Sequence, residues 1–151
     1  SATAHRLAQL SQMALVSSPM KRCQETAGFL SGLWNDAAVT VEPLVTEIPS
    51  PDGYELGERI DWLRAAMAGT WAALGSPYTD FRDDVVRYVA QSAVDTVIFS
   101  HFIAINAVIG SCLGDDRLVI DSLDNASVTV FETHGGLRLI ERGNQADTLI
   151  R

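Results

Sequence analysis

The sequence predicts a layered α/β fold with a largely parallel sheet, closed at its C-terminal end by an antiparallel hairpin. Three observations lead there. Short β-rich runs alternate with stretches of helical period along the chain, the pattern of parallel strands joined by crossover helices. The last two β-rich runs are joined through His134-Gly135-Gly136, a hairpin-turn signal. Finally, 151 residues of which 47% are hydrophobic suffice for one domain with a substantial core and are too few for two.

The elements follow in order. Residues 2–10 place Ala4, Leu7, Ala8 and Leu10 on one face with Thr3 as N-cap, which predicts a helix. Residues 13–16 form a short apolar run ending at Ser17-Ser18-Pro19, a buried strand. Pro19 opens a second helix, with Met20, Cys23, Ala27 and Leu30 as its buried stripe and Gly32 near its end. Residues 38–45 are β-rich and read as the next strand. Pro49, Ser50, Pro51, Asp52 and Gly53 make a dense turn cluster. Residues 58–74 return to helical period through Ile60, Leu63, Met67 and Trp71, and Phe81, Val85, Val86 and Val89 mark a further helix. Residues 94–100 read as a strand, 103–113 as an apolar helix, and 118–120, 127–132 and 137–141 as strands.

Composition narrows the function. The net charge is −8, with the eleven Lys and Arg residues scattered singly or in pairs such as Lys21-Arg22. That argues against nucleic acid as a partner, because affinity for a polyanion needs clustered cations. A small anion is still accessible where a few cations converge in a cleft. Charged residues make up 20% of the chain, and the longest apolar run, 102–110, is broken by Asn106, so no membrane span is expected. Cys23 and Cys112 lie in apolar stretches and read as two buried thiols. No His, Cys or Asp cluster has metal-ligand spacing, so neither a metal nor a cofactor is expected. With no signal peptide the expected location is cytoplasmic. A homodimer is compatible with the sequence, which leaves the oligomeric state open.

In open α/β sheets the ligand crevice lies beyond the carboxyl ends of the strands. That rule brings together residues 17–22, residues 47–53 and the pair His101-Phe102. Arg22 stands on the first turn of a helix, where free N–H groups and a guanidinium fork both suit phosphate oxygens. His101 ends a predicted central strand and is the side chain whose charge responds near neutral pH. Glu47 precedes the Pro-rich turn, where partial shielding would keep a carboxylic acid protonated and able to act as a general acid.

Taken together these segments are more specific than any one of them. Val16-Ser17-Ser18-Pro19-Met20-Lys21-Arg22-Cys23-Gln24-Glu25-Thr26-Ala27 resembles the Ser-Ser-Pro-x-x-Arg-x-x-x-Thr-Ala stretch of the histidine phosphatase superfamily. Val97-Ile98-Phe99-Ser100-His101, followed by an apolar helix, is similar to that family's second-histidine motif. Leu123-Asp124-Asn125-Ala126-Ser127-Val128-Thr129 looks like its late Asn-x-Ser segment. The resemblance covers essentially the whole chain and implies a three-layer α/β/α sheet of the phosphoglycerate-mutase type in a single domain, residues 1–151.

By that resemblance Arg22 grips the transferred phosphoryl group, His101 is the second pocket histidine, and Glu47 occupies the usual place of the proton donor. Phe102 stands where the family usually has Gly; it narrows the pocket mouth and contributes a backbone N–H to phosphate binding. Leu7 and Ala4 stand where the family often has Gln and Gly. The partner implied is a small phosphorylated substrate or inorganic phosphate, and the activity is phosphomonoester hydrolysis through a phosphohistidine.

The family's Arg-His-Gly segment is not found near the beginning of the sequence. His5 lies in the first helix and His134 in the hairpin turn, so neither carries over as the nucleophile. In the family the strand ending in Arg-His-Gly is central, and its loss would expose two rows of backbone hydrogen-bonding groups. The expectation is therefore an N-terminal strand and loop, outside these residues, that supply the nucleophile. Two alternatives accompany it: phosphoglycerate-mutase-type transfer, or an inactive relative binding a phospho-ligand or a protein if the chain is complete.

Overall fold

A computed structural model describes residues 2–125 and 127–143, with side chains from His5 onward. The expected cap Thr3 and apolar Ala4 therefore have side chains outside the described set, as does Ala126 within the 123–129 segment. The elements are α1 (Ala2–Ala8), β1 (Ala14–Ser17), α2 (Lys21–Leu33), β2 (Val39–Val41), a 3-10 turn (Pro43–Val45), α3 (Leu56–Met67), α4 (Trp71–Leu74), α5 (Tyr78–Ala90), β3 (Thr96–Phe99), α6 (Phe102–Leu113), β4 (Val130–Glu132) and β5 (Arg138–Glu141).

The α/β expectation holds: β2-β1-β3 is a parallel sheet, and β4-β5 is a separate antiparallel hairpin beside it. The centre of the sheet is β1, which pairs Leu15 with Val39 on one side and with Val97 on the other. β1 and β3 pair directly, while among the described residues β3 has no ladder partner on its other side and β4-β5 stand as a separate sheet. Ala14 N donates to Asp95 O and Ser18 N to Phe99 O, extending the β1-β3 ladder at both ends.

One side of the sheet is closed by α1 and α2. Leu30 and Trp34 are buried against Leu15, with Val39, Val97 and Phe99 of the strands and Leu7 and Ala8 of α1 around them. Each such large side chain contributes about 1.5–3 kcal/mol when fully buried. Trp34 Nε1 also donates to Ala8 O at 3.2 Å, fastening α1 to α2. The chain leaves α2 through Asn35 and Asp36, both at positive φ, a conformation these two residue types tolerate. A second core joins α3 and α4 to α6 through Ile48, Ala66, Trp71, Ile103, Ala107 and Leu118. A third sets Val85 of α5 against Ala104 and Val108 of α6, with Phe131 and Leu137 of the hairpin region.

Several expected elements differ from those found: the strand over 127–132 begins at Val130, and the helix expected to open at Pro19 begins at Lys21 after an exposed N-cap, Met20. The strand over 38–45 stops at Val41, because Pro43 has no N–H for the ladder; Glu42 instead accepts from Leu44 N and starts the 3-10 turn. The helix over 58–74 is two helices. Glu58 accepts from Glu55 N at the start of α3. After Met67 the Gly69 carbonyl accepts from Leu118 N, and Thr70 Oγ1 accepts from Ala73 N to cap α4, so tertiary partners replace the helical ones. No strand forms over 118–120: the N–H groups of Ile120 and Asp121 both donate to Asn106 Oδ1, a side chain of α6.

Candidate active site

The parallel register puts Ser17 opposite Phe99, so the residues after β1 and β3 emerge side by side at the carboxyl edge of the sheet. Glu42 N donates to Ser17 O at 2.8 Å, and Ser100 Oγ donates to Val45 O at 2.6 Å. These two bonds draw the turn after β2, and Glu47 just beyond it, to the same edge. The three sequence-distant segments therefore converge.

His101 is the N-cap residue of α6, in extended conformation, and is 3% exposed. Its Nε2 lies 2.8 Å from Ser18 Oγ and 3.6 Å from Cys23 Sγ. Its Nδ1 lies 3.5 Å from Nη2 of Arg22. Burial lowers the pKa of His101 below its ordinary value, and the Arg22 charge adds to that shift. The ring is thus biased to the neutral form while no anion is bound. Arg22 itself is solvent-exposed, on the first turn of α2.

Glu47 is half-buried, and Ile48 N donates to its Oε1 at 3.0 Å. Burial pushes its carboxyl above the ordinary value; the Ile48 N–H and the Arg22 charge oppose the shift without cancelling it. Phe102, first residue of α6, is half-buried and packs on the core that also contains Ile48, so the residues following Glu47 and His101 share one apolar wall. Arg22 and His101 are joined directly, while Glu47 is within electrostatic reach of Arg22.

Two site residues escaped the sequence reading. Ser18 was visible only as part of the Ser-Ser-Pro turn, and Cys23 only as a buried thiol. Both cysteines are free thiols, but only Cys23 is buried while Cys112 is half-buried, and Cys23 also touches His101, which only the fold reveals. The other histidines lie elsewhere: His5 stacks edge-on against Phe29, and His134 is exposed in the hairpin turn. Among the described residues no three His, Cys, Asp or Glu side chains gather as a metal site would require. Nor is any described helix long and apolar enough to cross a membrane.

A cleft of about 450 Å³ opens near the far end of α6, lined by Trp71, Arg82, Asp83, Ser111 and Asp116 among others. It is not the reactive edge. Roughly 15 Å of helix separates Ser111 from His101, and Arg82 is paired within the cleft to Asp83 and Asp116.

Residues 1–146 match the sequence model of the histidine phosphatase superfamily (branch 1). Among curated proteins none matches. The fold is similar to that of YhfR from Bacillus stearothermophilus, with a TM-score of 0.74 and 18% identity over 95% of this chain and 80% of that one. It is also similar to a mycobacterial glucosyl-3-phosphoglycerate phosphatase, with a TM-score of 0.71 and 20% identity over 96% and 84% of the two chains. A protein described as mycobacterial hydrolase 1 gives 0.66 and 20%, over 95% and 80%.

Proposed function

Because the chain belongs to the histidine phosphatase superfamily, branch 1, we propose that it serves phosphomonoester hydrolysis through a phosphohistidine intermediate. The observation that carries this reading is the approach of Arg22 Nη2 to within 3.5 Å of His101 Nδ1 at the carboxyl edge of the sheet. An exposed cationic fork and a buried imidazole meet at the start of two helices, where unpaired N–H groups favour an anion.

In the proposed reaction a histidine nitrogen attacks phosphorus and the bond to the ester oxygen breaks. Arg22 and protonated His101 stabilise the charge on the equatorial oxygens, with the backbone N–H of Phe102 as a further donor. Glu47, whose carboxyl burial shifts toward the protonated form, gives its proton to the departing alkoxide. The resulting carboxylate takes a proton from water as that water attacks the phosphohistidine, releasing phosphate and restoring the acid. The attacking histidine is assigned to a residue outside these 151, since His101 is the histidine joined to Arg22.

The substrate class is a small phosphorylated molecule, in keeping with the phosphatase among the structural neighbours. Mutase-type transfer on a sugar acid is less well supported, because residues 48–56 contain Asp52 and Glu55 but no Lys or Arg to meet a carboxylate. The test is hydrolysis of p-nitrophenyl phosphate by protein carrying the nucleophile, with capture of an acid-labile phosphoryl group. His101→Ala should abolish turnover; unchanged activity in that variant would refute the assignment.

A further inference from the structure

The mechanism above leaves two buried groups at the site unused, Ser18 and Cys23, which are 0% and 6% exposed. Their hydrogen bonds have a direction. A guanidinium has donors and no acceptor, so the Arg22 contact at 3.5 Å makes His101 Nδ1 the lone-pair nitrogen. The proton of the neutral ring is then on Nε2, pointing at Ser18 Oγ at 2.8 Å. Ser18 Oγ also accepts from Met20 N at 3.2 Å, which fills its second lone pair. The Cys23 sulfur stands 3.6 Å from the same Nε2, on the inner side of the ring. Cys23 in turn donates to Ser100 O at 3.5 Å. The two inner contacts thus fall on Nε2 and the outer one on Nδ1.

We propose that Ser18 and Cys23 are positioning residues for His101: they commit its Nε2–H to the protein interior and leave Nδ1, beside Arg22, as the nitrogen that meets a phosphoryl oxygen. The identity of that ligand rests on the phosphatase reading; the orientation of the ring does not. Without these inner contacts the two neutral tautomers would compete, and a ring carrying its proton on Nδ1 would present a donor to Arg22 instead of an acceptor. When an anion takes the guanidinium's place, Nδ1 takes up a proton and donates to it, while Nε2–H stays on Ser18. The charged and titratable groups around this change are Arg22 and Cys23 of α2, with Glu47 acting on both of them from the turn after β2. Ser100 adds rigidity, because its hydroxyl holds Val45 O, two residues before Glu47.

The experiment is ¹⁵N NMR of the His101 ring in the 151-residue protein, free and titrated with inorganic phosphate, across pH. The free wild-type ring should show the Nε2–H tautomer, and phosphate should perturb Nδ1. Ser18→Ala should mix the tautomers and weaken phosphate binding about tenfold, the equivalent of one lost hydrogen bond. Ser18→Thr should restore both readouts. Cys23→Ala should shift the tautomer balance in the same direction by a smaller factor, and Cys23→Ser should restore it. A wild-type ring protonated on Nδ1, or a Ser18→Ala ring still wholly Nε2–H, overturns the proposal. If phosphate leaves the ring unperturbed, the phosphatase reading fails, and the free-protein tautomer still decides the roles of Ser18 and Cys23.

Discussion

Replacing Asn106 by Ala tests whether the core is organised around one side chain. Asn106 is fully buried in α6 and makes four hydrogen bonds. Its Oδ1 accepts from Ile120 N at 2.8 Å and Asp121 N at 2.9 Å. Its Nδ2 donates to Asp121 O and Phe102 O, each at 3.1 Å. The Phe102 carbonyl keeps its helical partner when the amide is removed, so three backbone groups lose theirs. Two belong to Asp121, which is 4% exposed; the third, on half-buried Ile120, is more easily reached by water. An orphaned buried polar group costs about 1–3 kcal/mol. Two such groups with partial rescue of the third give a loss of about 3–4 kcal/mol, a large share of the ~5–15 kcal/mol that stabilises a typical domain. Urea denaturation should show a lower midpoint at unchanged slope. Asn106→Asp keeps one acceptor but turns an oxygen toward two carbonyls, and a buried carboxylate there has a raised pKa. Its loss should therefore be largest at neutral pH and shrink as pH falls toward the ordinary carboxylate range. A loss below about 1 kcal/mol for Asn106→Ala would refute the clamp.

Other predictions concern the site and its supporting helix. Arg22→Ala removes an exposed side chain, so stability should change by less than about 0.5 kcal/mol. Affinity for inorganic phosphate should fall on the order of 10- to 100-fold by calorimetry, and the His101 titration midpoint should rise by NMR, because the Arg22 charge helps depress it. Glu47→Gln should slow hydrolysis of alkyl phosphates far more than of p-nitrophenyl phosphate, whose leaving group needs no proton. In wild type that advantage should fade as pH rises through the raised Glu47 pKa. The same raised pKa makes Glu47 cost-free for folding below its unfolded value and increasingly unfavourable as pH rises from there through the folded value; the substitution should flatten that slope in chemical denaturation. Gly110→Ala gains about 1 kcal/mol of helix propensity elsewhere, but here the new Cβ would stand 2.6 Å from Asp115 O and 2.9 Å from Ile120 Cδ1. The net effect should be destabilising by about 1–2 kcal/mol; a raised Tm would show that the loop yields.

Local pattern was enough wherever the cause of structure was itself local. Of the apolar stripe Met20, Cys23, Ala27 and Leu30, the last three form the buried face of α2 while Met20, its N-cap, is exposed, and the apolar stretch after His101 foretold α6. Pairing between segments distant in sequence was not legible, whereas the local β4-β5 hairpin was. Residues 118–120 have the composition of a strand, yet their backbone partners are Gly69 O and the Asn106 side chain, and no periodicity encodes a bond across such distances. The helix over 58–74 was divided for the same reason, since Gly69 and Thr70 bond to the loop around Arg117.

The site divides along the same line. The sequence by itself determined the α/β class, the histidine phosphatase resemblance and the convergence of Arg22, Glu47 and His101 on one edge, because strand–turn–helix order dictates where a parallel sheet gathers its loops. Only the tertiary structure decided that β1 is the centre of the sheet and that Ser18 and Cys23 enclose the inner nitrogen of His101 while Arg22 meets the outer one. Those facts depend on strand register and on the direction of individual hydrogen bonds, and both are set by packing between segments about 80 residues apart in sequence.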